Sequence, residues 1–126
     1  MTRYFLEKEL VLASHNEGKI REFKHLFGEV KFKLLSAKNF GNDEPEETGN
    51  TFVENALIKA RETARLTRCV CLADDSGLCV ESINGKPGIK SADWSINHLG
   101  KRDFGLGINK VIEQLNGRKT PWYAYF

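Results

Sequence analysis

Leu10-Val11-Leu12-Ala13-Ser14-His15-Asn16-Glu17-Gly18-Lys19 decides the fold class. Four apolar residues run without a break and then give way to a polar turn, the pattern of a buried strand. Beyond the turn, Ile20, Phe23 and Phe27 fall on one face of a helix predicted over Lys19–Phe27, and Gly28 supplies its C-terminal stop. A second strand is predicted over Phe32–Ser36. Strand, turn, helix and strand in that order are the opening of an α/β protein.

Working outward, Lys38–Asn50 reads as a polar loop. Thr51 and Glu54 then form a capping box, in which hydroxyl and carboxylate each satisfy an orphan backbone N–H. The helix they open carries Phe52, Ala56, Ala60 and Ala64 at helical spacing and is predicted to run to about Leu66. Strands follow over Cys69–Ala73 and Leu78–Ile83, the second closed by the Asn84-Gly85 turn signal. Pro87-Gly88 marks a further turn, Leu106–Leu115 a weaker helix, and Trp122–Phe126 a last strand, inside which the chain stops. The 126 residues correspond to about one domain, expected to be incomplete at its C-terminus.

Composition narrows the function classes. The 19 basic and 17 acidic residues leave a net charge of +2, with no bulk drive toward nucleic acid or a membrane. No apolar run approaches the roughly 20 residues of a membrane-spanning helix, and residues 1–9 lack the apolar core of a secretory signal. The odd set Cys69, Cys71 and Cys79 reads as reduced core thiols of a cytoplasmic protein. A Cys-x-Cys zinc site would lack a second pair of ligands.

Four groups carry chemistry. Ser14 to Lys19 lies between a buried strand and a helix start, where unpaired N–H groups and a partial positive charge suit phosphate. Ser14 and Asn16 add side-chain donors, Gly18 permits close backbone approach and Lys19 adds a full charge. The glycine spacing is not that of a Walker A loop, and taken alone the segment is simplest as an ordinary capped turn. Glu46-Glu47 alone would be solvated loop carboxylates. Lys59, one helical turn after Asn55, would alone be a surface lysine. Asp74-Asp75 is more informative. Two adjacent carboxylates at the end of a buried strand repel each other and are costly to desolvate. A divalent cation offsets that cost, and magnesium takes one or two protein carboxylates together with phosphate and water. A tight turn using Asp and Gly for their backbone habits is the other reading. Together the groups supply what metal-assisted attack on a phosphoanhydride needs: cations for the phosphate oxygens and a carboxylate to take a proton from water.

In order and spacing, Ser14-His15-Asn16-Glu17-Gly18-Lys19, Glu47-Thr48-Gly49-Asn50-Thr51-Phe52-Val53-Glu54-Asn55-Ala56 with Lys59-Ala60, Ala73-Asp74-Asp75-Ser76-Gly77-Leu78, and Gly85-Lys86-Pro87-Gly88 with Ser91-Ala92 resemble the inosine/xanthosine triphosphate pyrophosphatases. The resemblance covers Leu10 to Ala92. It implies a mixed sheet with flanking helices, two lobes around a central cleft, and a homodimer. It implies magnesium-dependent hydrolysis of non-canonical purine nucleoside triphosphates (ITP, dITP, XTP) to the monophosphate and pyrophosphate. Ser14, His15, Asn16, Glu17, Gly18 and Lys19 would bind the triphosphate, Lys59 would contact phosphate and Ser76 substrate. Glu47 and Asp75 would hold magnesium. Asp75 would also serve as, or orient, the general base, and Asp74 would support the pair.

Two features depart from that pattern. Asp93 follows Ser91-Ala92 where the family usually has Arg, which reverses a charge. The Phe-Gly-Tyr-Asp-Pro and Ser-His-Arg segments that carry most of the family's base recognition do not occur in this sequence. Three outcomes therefore stay open: a purine-specific pyrophosphatase, a truncated homologue that binds nucleotide or metal with little or no turnover, and an enzyme for a different nucleotide such as a pyrimidine.

Overall fold

The computed structural model describes residues 2–126. They form two compact units, the first ending at Asp74 and the second running from Asp75 to Phe126.

The first unit is built on β1 (Glu9–Leu12), α1 (Glu17–Phe27), β2 (Lys33–Ser36), α2 (Phe52–Thr67) and β3 (Cys71–Leu72). Its sheet is parallel in the order β2-β1-β3. The apolar run sits at the centre, with Val11 and Leu12 at 0% and 1% exposure, and burying each such side chain contributes about 1.5–3 kcal/mol. β1 leads through α1 to β2 on one side, and β2 leads through α2 to β3 on the other. The strand order thus reverses at β1, and the carboxyl ends of β1 and β3 lie side by side. In open α/β sheets that switch point is where ligands sit.

Both helices begin and end on identifiable residues. Asn16 caps α1, and Gly28 follows it with a φ of 57°. Helix α1 starts at Glu17, two residues ahead of the predicted start, because the Asn16 side chain takes the first free N–H groups. At α2 the Thr51 hydroxyl accepts from the Glu54 N–H at 3.1 Å. The Glu54 carboxylate accepts from Asn50 rather than Thr51, at 2.6 Å, so the expected box is reached one residue further back. The predicted Cys69–Ala73 strand contracts to Cys71–Leu72. Cys69 and Cys71 are free and half-buried, and of the three thiols only Cys79 lies in a core.

The second unit carries an antiparallel sheet, β5-β4-β6, formed by β4 (Cys79–Val80), β5 (Lys86–Pro87) and β6 (Ala124–Tyr125). The expected parallel and antiparallel pairings are both present, divided between two sheets. The predicted Leu78–Ile83 strand ends early because Glu81–Ile83 tightens into a 3₁₀ turn closed by Asn84 at φ 59°. Helices α3 (Ser91–Trp94) and α4 (Phe104–Leu115) complete the unit. Asp103 caps α4 through the Leu106 N–H at 3.1 Å. No helix among the described residues is long and apolar enough to cross a membrane.

Candidate active site

The Ser14–Lys19 turn leaves the carboxyl end of β1, and Asp74 lies two residues past β3. Parallel pairing in the register Leu12 with Leu72 sets these segments beside each other, and the Ala13 N–H donates to the Leu72 carbonyl at 2.8 Å. There Lys19 Nζ meets Asp74 Oδ2 at 2.8 Å. Neighbouring polar groups hold the turn. Ser14 is buried, its hydroxyl accepts from the Asn16 N–H at 3.1 Å, and Ser36 at the end of β2 donates its hydroxyl to the Ser14 carbonyl at 2.9 Å.

The start of α1 is already served. Asn16 Oδ1 accepts from the Gly18 N–H at 2.9 Å and from the Lys19 N–H at 3.3 Å. The capped-turn geometry is therefore present, and an incoming anion would exchange with a side-chain oxygen rather than fill bare donors. Glu17 pairs with Lys38, whose ammonium holds the Glu17 carboxyl below the usual carboxylate range. His15 Nε2 is buried without a hydrogen-bond partner among the described residues.

The second meeting is between loop and helix. Lys59 Nζ lies 3.1 Å from Glu47 Oε1. Read alone, Lys59 was expected on the surface. It is instead one of three buried residues of α2, with Asn55 and Thr63, and the apolar Ala56, Ala60 and Ala64 flank this stripe half-buried. Glu46, next to Glu47, is exposed.

Asp75 and Ser76 open the second unit, both half-buried. The segment they lead into is fixed by the later motif. Ser91 Oγ accepts from the Leu78 N–H at 2.9 Å and donates to the Gly88 carbonyl at 2.6 Å. A Cβ on Gly77 would lie 2.2 Å from that carbonyl oxygen. Gly77, Gly88 and Ser91 thus form one close-packed joint just after Asp75-Ser76. Asp93, in place of the expected Arg, is exposed and ion-paired to Lys90 at 3.4 Å.

A family model described as the Ham1 family matches residues 10–126. The chain belongs to the Ham1 family. A dITP/XTP pyrophosphatase of Mesorhizobium japonicum is 48% identical over 104 residues, covering 82% of this chain and 47% of that protein. One from Brucella melitensis is 47% identical over 119 residues, covering 92% of this chain and 54% of that protein. A solved HAM1 protein from Coxiella burnetii superposes with a TM-score of 0.75 at 40% identity, covering 88% of this chain and 55% of that one. The chain spans about half the length of the curated relatives it matches.

In this Ham1 chain no three His, Cys, Asp or Glu side chains gather into a metal cage among the described residues. Magnesium needs no such cage, because it binds through one or two carboxylates and keeps water and phosphate as its other ligands. Within the first unit, Glu47 and Asp74 each carry the hard oxygens it prefers. Asp74 Oδ1 is buried with no hydrogen-bond partner among the described residues, a costly state for a carboxylate oxygen that a cation would relieve. The residues present fit the group.

Sequence reading did not single out three residues that support the candidate site: Ser36 and Lys38 beside the first turn, and Gly49, which stands only as one member of the second motif. Outside that motif, Lys38 left a signal, as a cation two residues past a predicted strand end.

Proposed function

We propose that this chain carries the magnesium-dependent hydrolysis of non-canonical purine nucleoside triphosphates (ITP, dITP, XTP) to the monophosphate and pyrophosphate. The observation that carries this reading is the meeting of Lys19 with Asp74 at the switch point between β1 and β3. It puts a cation and an acid where α/β sheets hold ligands. The dITP/XTP pyrophosphatase names of the relatives support the substrate class.

In this reading the turn from Ser14 to Lys19, including His15, Asn16, Glu17 and Gly18, receives the triphosphate. Asn16 turns from capping the helix to sharing its N–H groups with phosphate oxygens. Lys19 exchanges Asp74 for phosphate, Lys59 supplies a second cation, and Ser76 contacts substrate. Asp75 takes a proton from water as the water oxygen bonds to the α-phosphorus. The bond from that phosphorus to the α,β-bridging oxygen breaks, and pyrophosphate leaves with the electron pair. Glu47 and Asp75 would hold magnesium, which supplies charge neutralisation at the phosphate oxygens when bound. The reading extends, on the resemblance, to a homodimer and, on the free thiols Cys69, Cys71 and Cys79, to the cytoplasm.

Pyrophosphate release tests the proposal. With magnesium, dITP and XTP are expected to turn over faster than ATP or a pyrimidine triphosphate. Asp75→Asn is expected to lose about 100-fold or more, the scale of a general base. Equal turnover of all triphosphates would sink the purine assignment. A folded chain that binds dITP without turnover would leave a nucleotide-binding protein.

A further inference from the structure

We propose that Asn55 is a positioning residue, whose buried side chain fixes the loop segment 47–50 on α2 and so holds the Glu47 carboxylate at Lys59. Asn55 is 2% exposed. An amide side chain is expensive to bury and a poor helix former, so its place among alanines on the inner face of α2 calls for a partner. The partner is loop backbone: the Gly49 N–H donates to Asn55 Oδ1 at 2.7 Å. The Asn50 N–H donates to the Glu54 carboxylate at 2.6 Å, so two successive loop residues are tied to two successive residues of α2.

The fit leaves no room for a side chain. A Cβ on Gly49 would lie 2.6 Å from Asn55 Oδ1 and 2.7 Å from Glu54 Cβ. Gly49 is therefore a glycine because Asn55 draws its backbone onto the helix. Glu47 stands two residues before this latch, and Lys59 one helical turn beyond Asn55 on the same buried stripe. Both partners of the 3.1 Å Lys59–Glu47 contact are thus carried by one body, the N-terminal half of α2.

The functional consequence rests on the proposed role of Glu47 as a metal-holding carboxylate, whereas the latch does not. Residues that orient ligands from behind typically change metal affinity about 10- to 100-fold. Amide hydrogen exchange and binding of Mn²⁺ alone, as a probe for the magnesium site, test the two levels separately on the whole chain. The Gly49 amide is expected to be protected in the unsubstituted protein. Asn55→Ala is expected to abolish that protection and weaken Mn²⁺ binding about 10-fold or more. Asn55→Asp, which keeps an acceptor oxygen at the same place, is expected to restore the protection. A Gly49 amide that exchanges as fast as an open loop would overturn the proposal, as would a folded Asn55→Ala protein with unchanged Gly49 protection. If Asn55→Ala does not fold, the unsubstituted amide and Asn55→Asp decide. Glu47→Gln separates the readings: unchanged Mn²⁺ affinity there, with Gly49 protection still dependent on Asn55, refutes the metal role of Glu47 and upholds the latch.

Discussion

Lys59 and Glu47 form an asymmetric pair: the lysine side chain is 5% exposed and the glutamate side chain 31%. The cation is the member that cannot return to water. Removing it takes the cation from a half-buried carboxylate, and removing the carboxylate takes one partner from a buried ammonium.

Lys59→Met is therefore expected to destabilise the chain by about 1–3 kcal/mol, the cost of orphaning a partly buried polar partner. The double variant Lys59→Met/Glu47→Gln is expected to regain part of that loss, because the two residues are in contact and their effects do not add. Denaturant titrations of the four proteins check this, and strict additivity would contradict the pairing.

Lys19 leads to a prediction about binding. In the proposed reaction it leaves Asp74 for a phosphate oxygen, a charge-assisted contact worth about 1.5–3 kcal/mol. Lys19→Met is expected to weaken affinity for dITP by roughly 10- to 150-fold on that scale. Calorimetry with dITP in calcium buffer measures it, and unchanged affinity would remove Lys19 from the phosphate site.

At Gly77 the constraint is steric. The nearest obstacle to a Cβ is the Gly88 carbonyl oxygen at 2.2 Å, followed by Ser91 Oγ at 2.6 Å. Backbone must move, so Gly77→Ala is expected to cost about 1–3 kcal/mol, the scale of overpacking. A thermal melt reads the loss. Gly85→Ala is the contrast: nothing lies within 4 Å of its Cβ, but its φ is +75°, so its cost comes from backbone strain, not collision.

Acid acts on the first turn through Glu17. Its carboxyl is held below the ordinary range, first by the hydrogen bond from Lys38 and then by that lysine's charge. The unfolded chain binds the proton more readily there, so stability rises with pH through that window. The contribution is complete above the ordinary carboxylate value and is lost as pH falls through the lower folded value. In Lys38→Met the Glu17 midpoint, followed by NMR, is expected to move up toward the ordinary value. The stability difference between the two proteins is expected to shrink toward zero in acid.

Local signals accounted for what was legible in the sequence. The run Leu10–Ala13 and the 3.6-residue spacing of Ile20, Phe23 and Phe27 announced β1 and α1, because buried strands and amphipathic helices print their period directly. Thr51 and Glu54 marked the start of α2 through a different local signal, the side chains that serve orphan N–H groups at a helix start. Cys69–Ala73 and Leu78–Ile83 came out shorter than read, since strand length depends on partners that an apolar run does not name. The pairings Lys19–Asp74 and Lys59–Glu47 join residues 55 and 12 positions apart, and no local pattern states them. Lys59 was hardest to place, because a lysine among alanines has the composition of a solvated face. That face is the inside because α2 packs against β3 and the loop folds over it, partners that no local pattern names.

The central place of β1 bears on how the protein is made. Its pairing with β3 waits for residues 70–72, nearly 60 residues after β1 leaves the ribosome. At synthesis rates of about 5–20 residues per second, one edge of the most apolar strand stays open for several seconds. The Lys19–Asp74 contact closes only as the last residue of the first unit arrives. The same contact that marks the switch point of the sheet therefore reports that the nascent first unit is finished, and a pause in translation before Asp74 would prolong the interval in which β1 can pair with the wrong chain.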